Sequence, residues 1–173
     1  MDLHKQFKAI TCFVFDVDGV MTDGNVLAMD DGSQMRRMNT KDGYALQLAV
    51  KKGYHVAIIS GGEAQGVRLR LNKLGITNVY MQVTDKKAQL HAFLQQYAIN
   101  PQQVLYMGDD IPDYIPMKEA GVACCPADAV PEIKNIAKYI SPIKGGAGCV
   151  RDVIEKVLKL NDQWALETNI ASK

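Results

Sequence analysis

Short apolar runs alternate with longer stretches of helical character along most of the chain. The apolar runs predict buried β-strands at 10–16, 55–60, 78–83, 103–108, 121–125 and 138–141. The stretches between them predict helices at 41–52, 63–74, 86–97, 111–120 and 149–160, with a short helix near 131–137. This alternation is typical of helices that cover both faces of a parallel sheet. The sequence therefore predicts an α/β fold with a single doubly wound, Rossmann-like parallel sheet.

One segment, residues 24–38, interrupts this alternation. Two short runs flank Asp31 and Gly32, which predicts a small β-hairpin flap that leaves the sheet and could overhang its edge. Glycine follows three of the predicted helices and is expected at their C-terminal caps, at Gly53, Gly75 and Gly121.

Composition narrows the classes of protein that fit this pattern. The 173 residues, 47% hydrophobic and 23% charged, are expected to form one domain over 1–173, with a tail from about 161. A net charge of +1 without runs of like charge argues against nucleic acid and membranes as partners. The N-terminus lacks the plan of a signal peptide, so a cytoplasmic protein is expected. The cysteines lack metal-ligand spacing and are expected to be reduced thiols, at Cys12, Cys124, Cys125 and Cys149.

Two carboxylates follow the first predicted strand. Asp16 and Asp18 are separated by Val17, and the alternation of side chains along a strand would place both on one side. Two like charges so close together favour a bound cation or a shared proton, and Mg²⁺ prefers such oxygen ligands. Solvated acids at the start of a loop are the ordinary alternative. A calcium loop does not fit, because Gly19 and Leu27 occupy the wrong positions for an EF-hand.

Polar groups also follow three further strands of the predicted sheet. They are Ser60, Gly61 and Gly62 after the second strand, Lys86 after the third, and Asp109, Asp110 and Asp113 after the fourth. Each group alone has an ordinary explanation, such as a helix cap or a solvated lysine. Ligands of doubly wound sheets bind beyond the carboxyl ends of the strands, where all four groups would meet. Together they predict a phosphoryl-transfer site with a divalent cation.

These motifs resemble those of a known enzyme family. DVDGVMTDG, ISGG, the helix-opening Lys86 and GDDIPD match, in order, the four motifs of the haloacid dehalogenase-like phosphatases. With the hairpin, NTKDG at 39–43 and GGAGCVR at 145–151, the chain looks like the capless subfamily that hydrolyses 3-deoxy-D-manno-octulosonate 8-phosphate, in lipopolysaccharide precursor biosynthesis. Close relatives of that subfamily hydrolyse 9-phosphates of nine-carbon 2-keto-3-deoxy sugar acids, and this remains an alternative.

The resemblance implies roles for the residues at the strand ends. Asp16 would be the nucleophile and Asp18 the general acid and base. Mg²⁺ would be bound by the Asp16 and Asp109 carboxylates and by the backbone carbonyl of Asp18. Ser60, the backbone of Gly61 and Gly62, and Lys86 would hold the phosphoryl group, whereas Asp110 and Asp113 would give further support to ligands or orient them.

The resemblance also implies how the substrate is chosen. The intervals between Asp16 and Ser60 and between Lys86 and Asp109 are used up by the hairpin and the scaffold, so no cap domain is expected. The resembling family closes its sites by forming a homotetramer around the hairpins. Met29, Met35 and Met38 suit such an interface, although core packing explains Met38 equally well.

The carboxylate of a sugar acid needs a cation to bind it. Candidate substrate-binding residues are Asn39, Asp42, Arg68 and Arg70, with Arg151 after the glycine-rich segment. For each arginine a solvated position is an equal alternative. Many relatives carry a basic residue directly after the glycine of the second motif, where this chain has Gly62 and Glu63, which leaves the preferred sugar acid open.

Other classes of protein share parts of this pattern. A phosphoacceptor signalling domain has adjacent acids after its first strand and a phosphorylated aspartate after its third, which does not fit the spacing found here. A non-catalytic scaffold, or the detached phosphatase half of a sugar-nucleotide synthetase, would not need every catalytic position to be filled.

Overall fold

A six-stranded parallel sheet forms the centre of the computed structural model, which describes residues 2–165 and 168–170. Its spatial order is β5 (Asn78–Tyr80), β4 (His55–Ile59), β1 (Cys12–Phe15), β6 (Val104–Met107), β7 (Val122–Cys125) and β8 (Tyr139–Ile140). Phe15 of β1 is level with Ile58 of β4 and Met107 of β6. The carboxyl ends of these three strands therefore lie side by side, at the point where the strand order reverses.

Helices cover both faces of this sheet. They are α1 (Leu3–Lys8), α2 (Thr40–Lys51), α3 (Gln65–Lys73), α4 (Lys86–Gln96), α5 (Tyr114–Glu119), α6 (Pro131–Ile136) and α7 (Cys149–Leu160). Alternate residues of each strand feed two cores. Phe13 and Phe15 belong to the core with α2 and α7, whereas Cys12 and Val14 belong to the core with α4 and α6. The predicted doubly wound sheet is confirmed.

Two of the predicted helices begin later in the structure than the sequence suggests. The helix expected at 111–120 begins as a 3₁₀ turn at Ile111–Asp113 and becomes α-helical only in α5. The helix expected at 63–74 begins at Gln65, because the backbone of Ala64 is still extended. Helix α1 was not predicted, because it has only six residues and buries only Phe7, which leaves little apolar signal in the sequence.

One of the three predicted glycine caps is wrong. Gly53 and Gly75 both have a φ of +87°, the left-handed conformation expected directly after a helix. Gly121 does not share it. Its amide donates to the Pro101 carbonyl at 2.8 Å, and a Cβ there would overlap the backbone of Gln102. Gly121 therefore serves a close approach between two segments of backbone rather than a helix end.

The predicted hairpin is present, with β2 (Leu27–Ala28) paired to β3 (Gln34–Met35). Its apolar residues are exposed by 40–59%, namely Val26, Leu27, Met29 and Met35. Met38 instead packs against the core beneath α2 and α7, so core packing is the explanation that holds for it. In the described part of the chain, only the hairpin and the strands, helices and turns of the scaffold lie between the motif residues, with no cap domain.

All four cysteines are buried and unpaired, as predicted. The predicted tail, 161–173, lies only partly within the described residues. In the described part, the Trp164 ring meets Tyr44 edge-on at 6.0 Å, and the Arg151 guanidinium lies 5.2 Å from the Trp164 ring centre. Among the described residues, no helix has both the length and the apolar character needed to span a bilayer.

Candidate active site

The chain leaves β1 in an irregular turn at Val17–Met21 that carries the first two carboxylates. Asp16 opens the turn, and its Oδ1 accepts a hydrogen bond from the Val17 amide at 2.7 Å. Gly19 has a φ of +83°, and a Cβ at this position would overlap the carboxylate of Asp109. Glycine at position 19 therefore lets the carboxyl end of β6 approach the turn after β1.

Lys86, the first residue of α4, reaches the same place from another strand end. Its Nζ lies 2.9 Å from Asp16 Oδ2 and 2.8 Å from Asp113 Oδ1, and the lysine is buried. Although burial opposes its charge, Asp16 and Asp113 together raise the pKa of Lys86. The lysine is therefore a fixed cation of the site and not a solvated residue of the first helical turn.

Asp113 is completely buried and holds this lysine in place. In addition to Lys86, its carboxylate accepts hydrogen bonds from the Tyr106 hydroxyl at 3.0 Å and from the Asp109 amide at 3.3 Å. With its oxygens so occupied, Asp113 is better suited to orienting its neighbours than to binding a substrate. This geometry favours the orienting part of the role expected for it.

Asp16, Asp109 and Asp113 form an acidic cluster in which ligand oxygens lie within 4.8 Å of one another. Three carboxylates with one ammonium leave two negative charges when all are ionised. Among the described residues, the buried Oδ1 of Asp109 has no hydrogen-bond partner. An orphaned buried carboxylate oxygen in a cluster of this charge fits a hard divalent cation with oxygen ligands, as expected for Mg²⁺.

The protonation of this cluster reflects the same charge imbalance. Burial, helped by repulsion from Asp113 and opposed by Lys86, raises the pKa of Asp16 above its ordinary value. Burial also raises the pKa of Asp109 to about 7, with repulsion from Asp113 and Asp110 adding to the effect. A bound divalent cation would favour both carboxylates in their ionised form.

The carboxylate of Asp18 pairs with a different cation from that of Asp16, which pairs with Lys86. Its carboxylate forms a two-point ion pair with Arg36, at 2.6 Å from Nε and 3.0 Å from Nη2. The alternation of side chains along a strand does not apply to this pair, because β1 ends at Phe15 and the turn begins directly after Asp16. Both nevertheless face the same cleft.

This cleft lies beyond the carboxyl ends of the strands and has a volume of about 710 Å³. Its lining includes seven predicted site residues, Asp16, Asp18, Ser60, Gly61, Gly62, Lys86 and Asp109, together with Asp110. Ser60 follows β4 directly, and its buried hydroxyl accepts a hydrogen bond from the Gly62 amide at 3.3 Å. The strand ends therefore bring a hydroxyl, a backbone loop, an ammonium and several carboxylates into one space.

The four candidate substrate-binding residues outside the motifs do not line this cleft. Asn39 caps α2 and donates to the Gly146 carbonyl at 3.2 Å, and buried Asp42 accepts from the Arg151 amide at 2.8 Å. Arg68 donates to the Val79 carbonyl at 2.6 Å, and Arg70 lies beside Gly43 of α2. Contact of these residues with a substrate stays a prediction from the resemblance.

Sequence reasoning missed two residues of the site, Tyr106 and Arg36. Tyr106 carries the one hydroxyl in the strand β6, two residues before Gly108, and that position is a usable signal. Arg36 has no local signal, because its partner Asp18 is 18 residues away and is reached only when the hairpin folds back.

Comparisons with known proteins agree with this geometry. Residues 77–151 match the family model for haloacid dehalogenase-like hydrolases. The chain is 36% identical to 3-deoxy-D-manno-octulosonate 8-phosphate phosphatase KdsC of Yersinia pestis over 98% of this chain and 91% of that protein. It is 35% identical to KdsC of Escherichia coli K12 over 91% of this chain and 84% of that protein.

Solved structures extend the likeness to three dimensions. The crystal structure of the Yersinia pestis phosphatase has a TM-score of 0.91 at 35% identity, covering 93% of this chain and 87% of that one. The Moraxella catarrhalis phosphatase, solved with magnesium, phosphate and KDO, has a TM-score of 0.88 at 30% identity, with coverages of 91% and 90%. The chain therefore belongs to the haloacid dehalogenase-like hydrolase family and is a phosphatase of that family.

Proposed function

We propose that this chain hydrolyses 3-deoxy-D-manno-octulosonate 8-phosphate to the free sugar acid and phosphate, a step in lipopolysaccharide precursor biosynthesis. The observation that carries the phosphatase chemistry is the contact of Asp16 with Lys86, at 2.9 Å, beside the orphaned oxygen of Asp109. The substrate is supported by the names of the relatives, which match nearly the whole chain. A nine-carbon 2-keto-3-deoxy sugar acid 9-phosphate is the alternative.

The first half of the proposed reaction transfers the phosphoryl group to the enzyme. A carboxylate oxygen of Asp16 attacks phosphorus, the Asp16–phosphorus bond forms, and the bond from phosphorus to the sugar oxygen breaks. Asp18 donates a proton to the departing alkoxide. The Lys86 ammonium, the Ser60 hydroxyl and the backbone of Gly61 face the phosphoryl oxygens, where negative charge must be stabilised.

The second half releases phosphate. A water molecule attacks the phosphorus of the aspartyl-phosphate, Asp18 takes a proton from that water, and the Asp16 carboxylate leaves. Proton transfer by one residue in both halves requires it to stand beside the phosphorus on the side of the leaving group. The position of Asp18 in the same cleft as Asp16, two residues further along the chain, supports that role.

We propose Mg²⁺ as the cofactor. The Asp16 and Asp109 carboxylates and the Asp18 carbonyl would hold it, with Asp110 and Asp113 outside the ligand set. When bound, the cation would offset the negative charge of the cluster and of the substrate phosphate. Its presence would also keep Asp16 ionised, which attack on phosphorus requires.

We propose a homotetramer built around hairpin 24–38 and located in the cytoplasm. The cleft has no cap in the described residues, and the adjacent hairpin exposes Leu27 by 59% and Met35 by 52%. An exposed apolar patch of this kind is typical of a protein interface. The four buried, unpaired cysteines are consistent with a reducing compartment.

A phosphate-release screen tests the proposed substrate. The panel should contain eight-carbon and nine-carbon 2-keto-3-deoxy sugar acid phosphates, with glucose 6-phosphate as the control ester and excess chelator as the metal control. We expect the highest kcat/KM for the eight-carbon ester and no turnover in chelator. A higher value for the nine-carbon ester would favour the alternative, and a higher value for glucose 6-phosphate would overturn both.

A further inference from the structure

The turn after β1 holds the carboxylate of Asp18 less firmly than that of Asp16. Asp16 accepts a hydrogen bond from the Val17 amide at 2.7 Å and lies 2.9 Å from the Lys86 ammonium. For Asp18, the Thr22 hydroxyl lies 3.5 Å from Oδ1, which is the limit of a hydrogen bond. The side chain of Asp18 is also 31% exposed, against 11% for Asp16. The orientation of Asp18 therefore depends on another segment of the chain.

That segment is the hairpin, which supplies Arg36. The Nε atom of Arg36 lies 2.6 Å from Asp18 Oδ1, and Nη2 lies 3.0 Å from Asp18 Oδ2. Two parallel contacts of this kind fix the plane of a carboxylate as well as its distance. Because both oxygens are held, rotation of the Asp18 side chain would break one contact or both.

The guanidinium that holds Asp18 is itself fixed. It donates from Nη1 to the Glu63 carbonyl at 3.1 Å and from Nη2 to Gln34 Oε1 at 3.3 Å. The side chain of Arg36 is 3% exposed, whereas that of its neighbour Arg37 is 87% exposed. Arg36 is thus anchored both to the loop after β4 and to the hairpin, and it gives Asp18 a rigid partner.

Gly62 leaves the space in which this ion pair forms. A Cβ at position 62 would lie 2.9 Å from Arg36 Nη2 and 3.1 Å from Asp18 Oδ2. A side chain there would press on both partners at once. The pair therefore depends on the absence of a side chain in the loop after β4 as well as on the hairpin.

Arg36 has a route to the reaction only through Asp18. In the part of the chain that the structure describes, Asp18 lines the cleft, whereas Arg36 lines the neighbouring depression with Gln34, Ala64 and Arg70. A side chain that is almost fully buried in that position acts on the residue it contacts and not on a substrate.

We propose that Arg36 is a positioning residue of the phosphatase reaction, which holds the side chain of Asp18 where it exchanges a proton with the leaving alcohol and with the attacking water. General acid–base catalysis requires the group to lie within a hydrogen bond of the proton it transfers. The ionised carboxylate accepts both contacts from Arg36, and the protonated acid still accepts on its carbonyl oxygen. The inference rests on the proposed function, because it takes Asp18 to be the acid and base.

Two esters with different leaving groups test this role. Glycerol 1-phosphate releases an alkoxide that needs a proton, whereas p-nitrophenolate leaves without one, and kcat/KM includes only the steps up to that departure. We expect Arg36→Met to lower kcat/KM about ten- to a hundredfold for glycerol 1-phosphate and less than about threefold for p-nitrophenyl phosphate. Arg37→Met, the matched control, should leave both values unchanged. A merely structural role of Arg36 would lower both values alike.

A double-mutant cycle shows whether Arg36 acts through Asp18. Asp18→Asn alone should lower kcat/KM for glycerol 1-phosphate by about a hundredfold or more. The addition of Arg36→Met to Asp18→Asn should change this value by less than about twofold, because effects that pass through one residue do not add. An independent role of Arg36 would instead lower the double variant by the full factor of the single variant.

Gly62→Ala disturbs the pair without removing either charge, and it decides the question if Arg36→Met does not fold. Its Cβ should push the guanidinium away from Asp18, while the backbone amides of the loop remain. We expect kcat/KM to fall about three- to tenfold more for glycerol 1-phosphate than for p-nitrophenyl phosphate. Circular dichroism, together with the activity towards p-nitrophenyl phosphate, shows that each variant is folded.

Three outcomes would overturn the role of Arg36 while Asp18→Asn shows the expected dependence on the leaving group. They are equal losses for the two esters in the folded variant, no loss for glycerol 1-phosphate, or a full further loss when Arg36→Met is added to Asp18→Asn. The proposed function fails by different results. Equal losses for both esters in Asp18→Asn would refute the acid role of Asp18 and, with it, the role of Arg36. A wild type that hydrolyses no sugar acid phosphate would refute only the proposed substrate.

Discussion

The acidic cluster and the hairpin lie at the same edge of the sheet but are built differently. Lys86 is held by two ion pairs under 3 Å and Asp113 is completely buried. The hairpin has two pairs of facing residues and exposes most of its apolar side chains. Phosphoryl transfer requires groups fixed to within fractions of an ångström, which a buried network provides. Choice of substrate requires only contact with the leaving group, which an exposed segment can supply.

Replacement of Asp16, the proposed nucleophile, tests the cluster most severely. Asp16→Asn should lower kcat by about a thousandfold or more for every ester, because no covalent intermediate can form. Phosphate release under saturating substrate measures the effect, with Asp30→Asn in the hairpin as the matched control. If a folded Asp16→Asn protein had a kcat within tenfold of wild type, the proposed nucleophilic role of Asp16 would be wrong.

Acidic substitutions in the hairpin test the proposed subunit interface without changing the acidic cluster. Met29→Glu with Met35→Glu should yield species smaller than the proposed tetramer, because carboxylates would be buried at the interface. Light scattering measures the mass. We expect kcat/KM for the sugar acid phosphate to fall by about tenfold or more, and that for p-nitrophenyl phosphate by much less.

One result would contradict the proposed tetramer. A wild type that is monomeric at working concentrations, yet discriminates strongly among esters, would show that the hairpin acts within one chain. Met38→Leu serves as the matched control, since Met38 packs in the core and should leave the mass unchanged.

The charge of the cluster predicts how stability depends on pH and Mg²⁺. In the metal-free protein the pKa of Asp109 is raised to about 7 from 3.8, so the folded state binds more protons than the unfolded state between these values. The contribution of Asp109 to the free energy of unfolding should therefore be fully present below about pH 4 and be lost as pH rises through about 7, and it should amount to roughly 1–3 kcal/mol after allowance for partial exposure.

Mg²⁺ should reverse this loss, because its ligands must be deprotonated. Urea unfolding in chelator and in excess Mg²⁺ should differ more at pH 8 than at pH 5.5, and Asp109→Asn should reduce the difference. An effect of Mg²⁺ that is equal at both pH values would argue against a site formed by these carboxylates.

The smallest expected effect concerns the hydrogen bond from the Tyr106 hydroxyl to Asp113 of the acidic cluster. Tyr106→Phe removes the hydroxyl that donates to Asp113 at 3.0 Å, and should lower kcat about two- to fivefold and the free energy of unfolding by about 1–2 kcal/mol. Tyr97→Phe loses a hydrogen bond to Asn78 of similar length, 2.9 Å, away from the cleft. If Tyr106→Phe and Tyr97→Phe lowered kcat equally, Tyr106 would have no specific role in positioning the cluster.

The sequence alone determined the fold class and the groups at the strand ends. Apolar runs and helices predict a parallel sheet, and the carboxyl ends of parallel strands meet at one edge whatever their exact length. For this reason Asp16, Ser60, Lys86 and Asp109 could be assigned to one cleft although the predicted strand boundaries differ from the observed ones by up to three residues.

The tertiary structure decided the features that depend on contacts across the sequence. Arg36 meets Asp18 only after the hairpin folds back, and Asp113 is committed to Lys86 only after α4 packs beside α5. Gly121 follows a helix in sequence, but its position is set by the backbone of Gln102. Local patterns record the tendency of a segment to form a strand or helix. The partner of a side chain depends instead on which distant segment arrives beside it, and no local pattern carries that information.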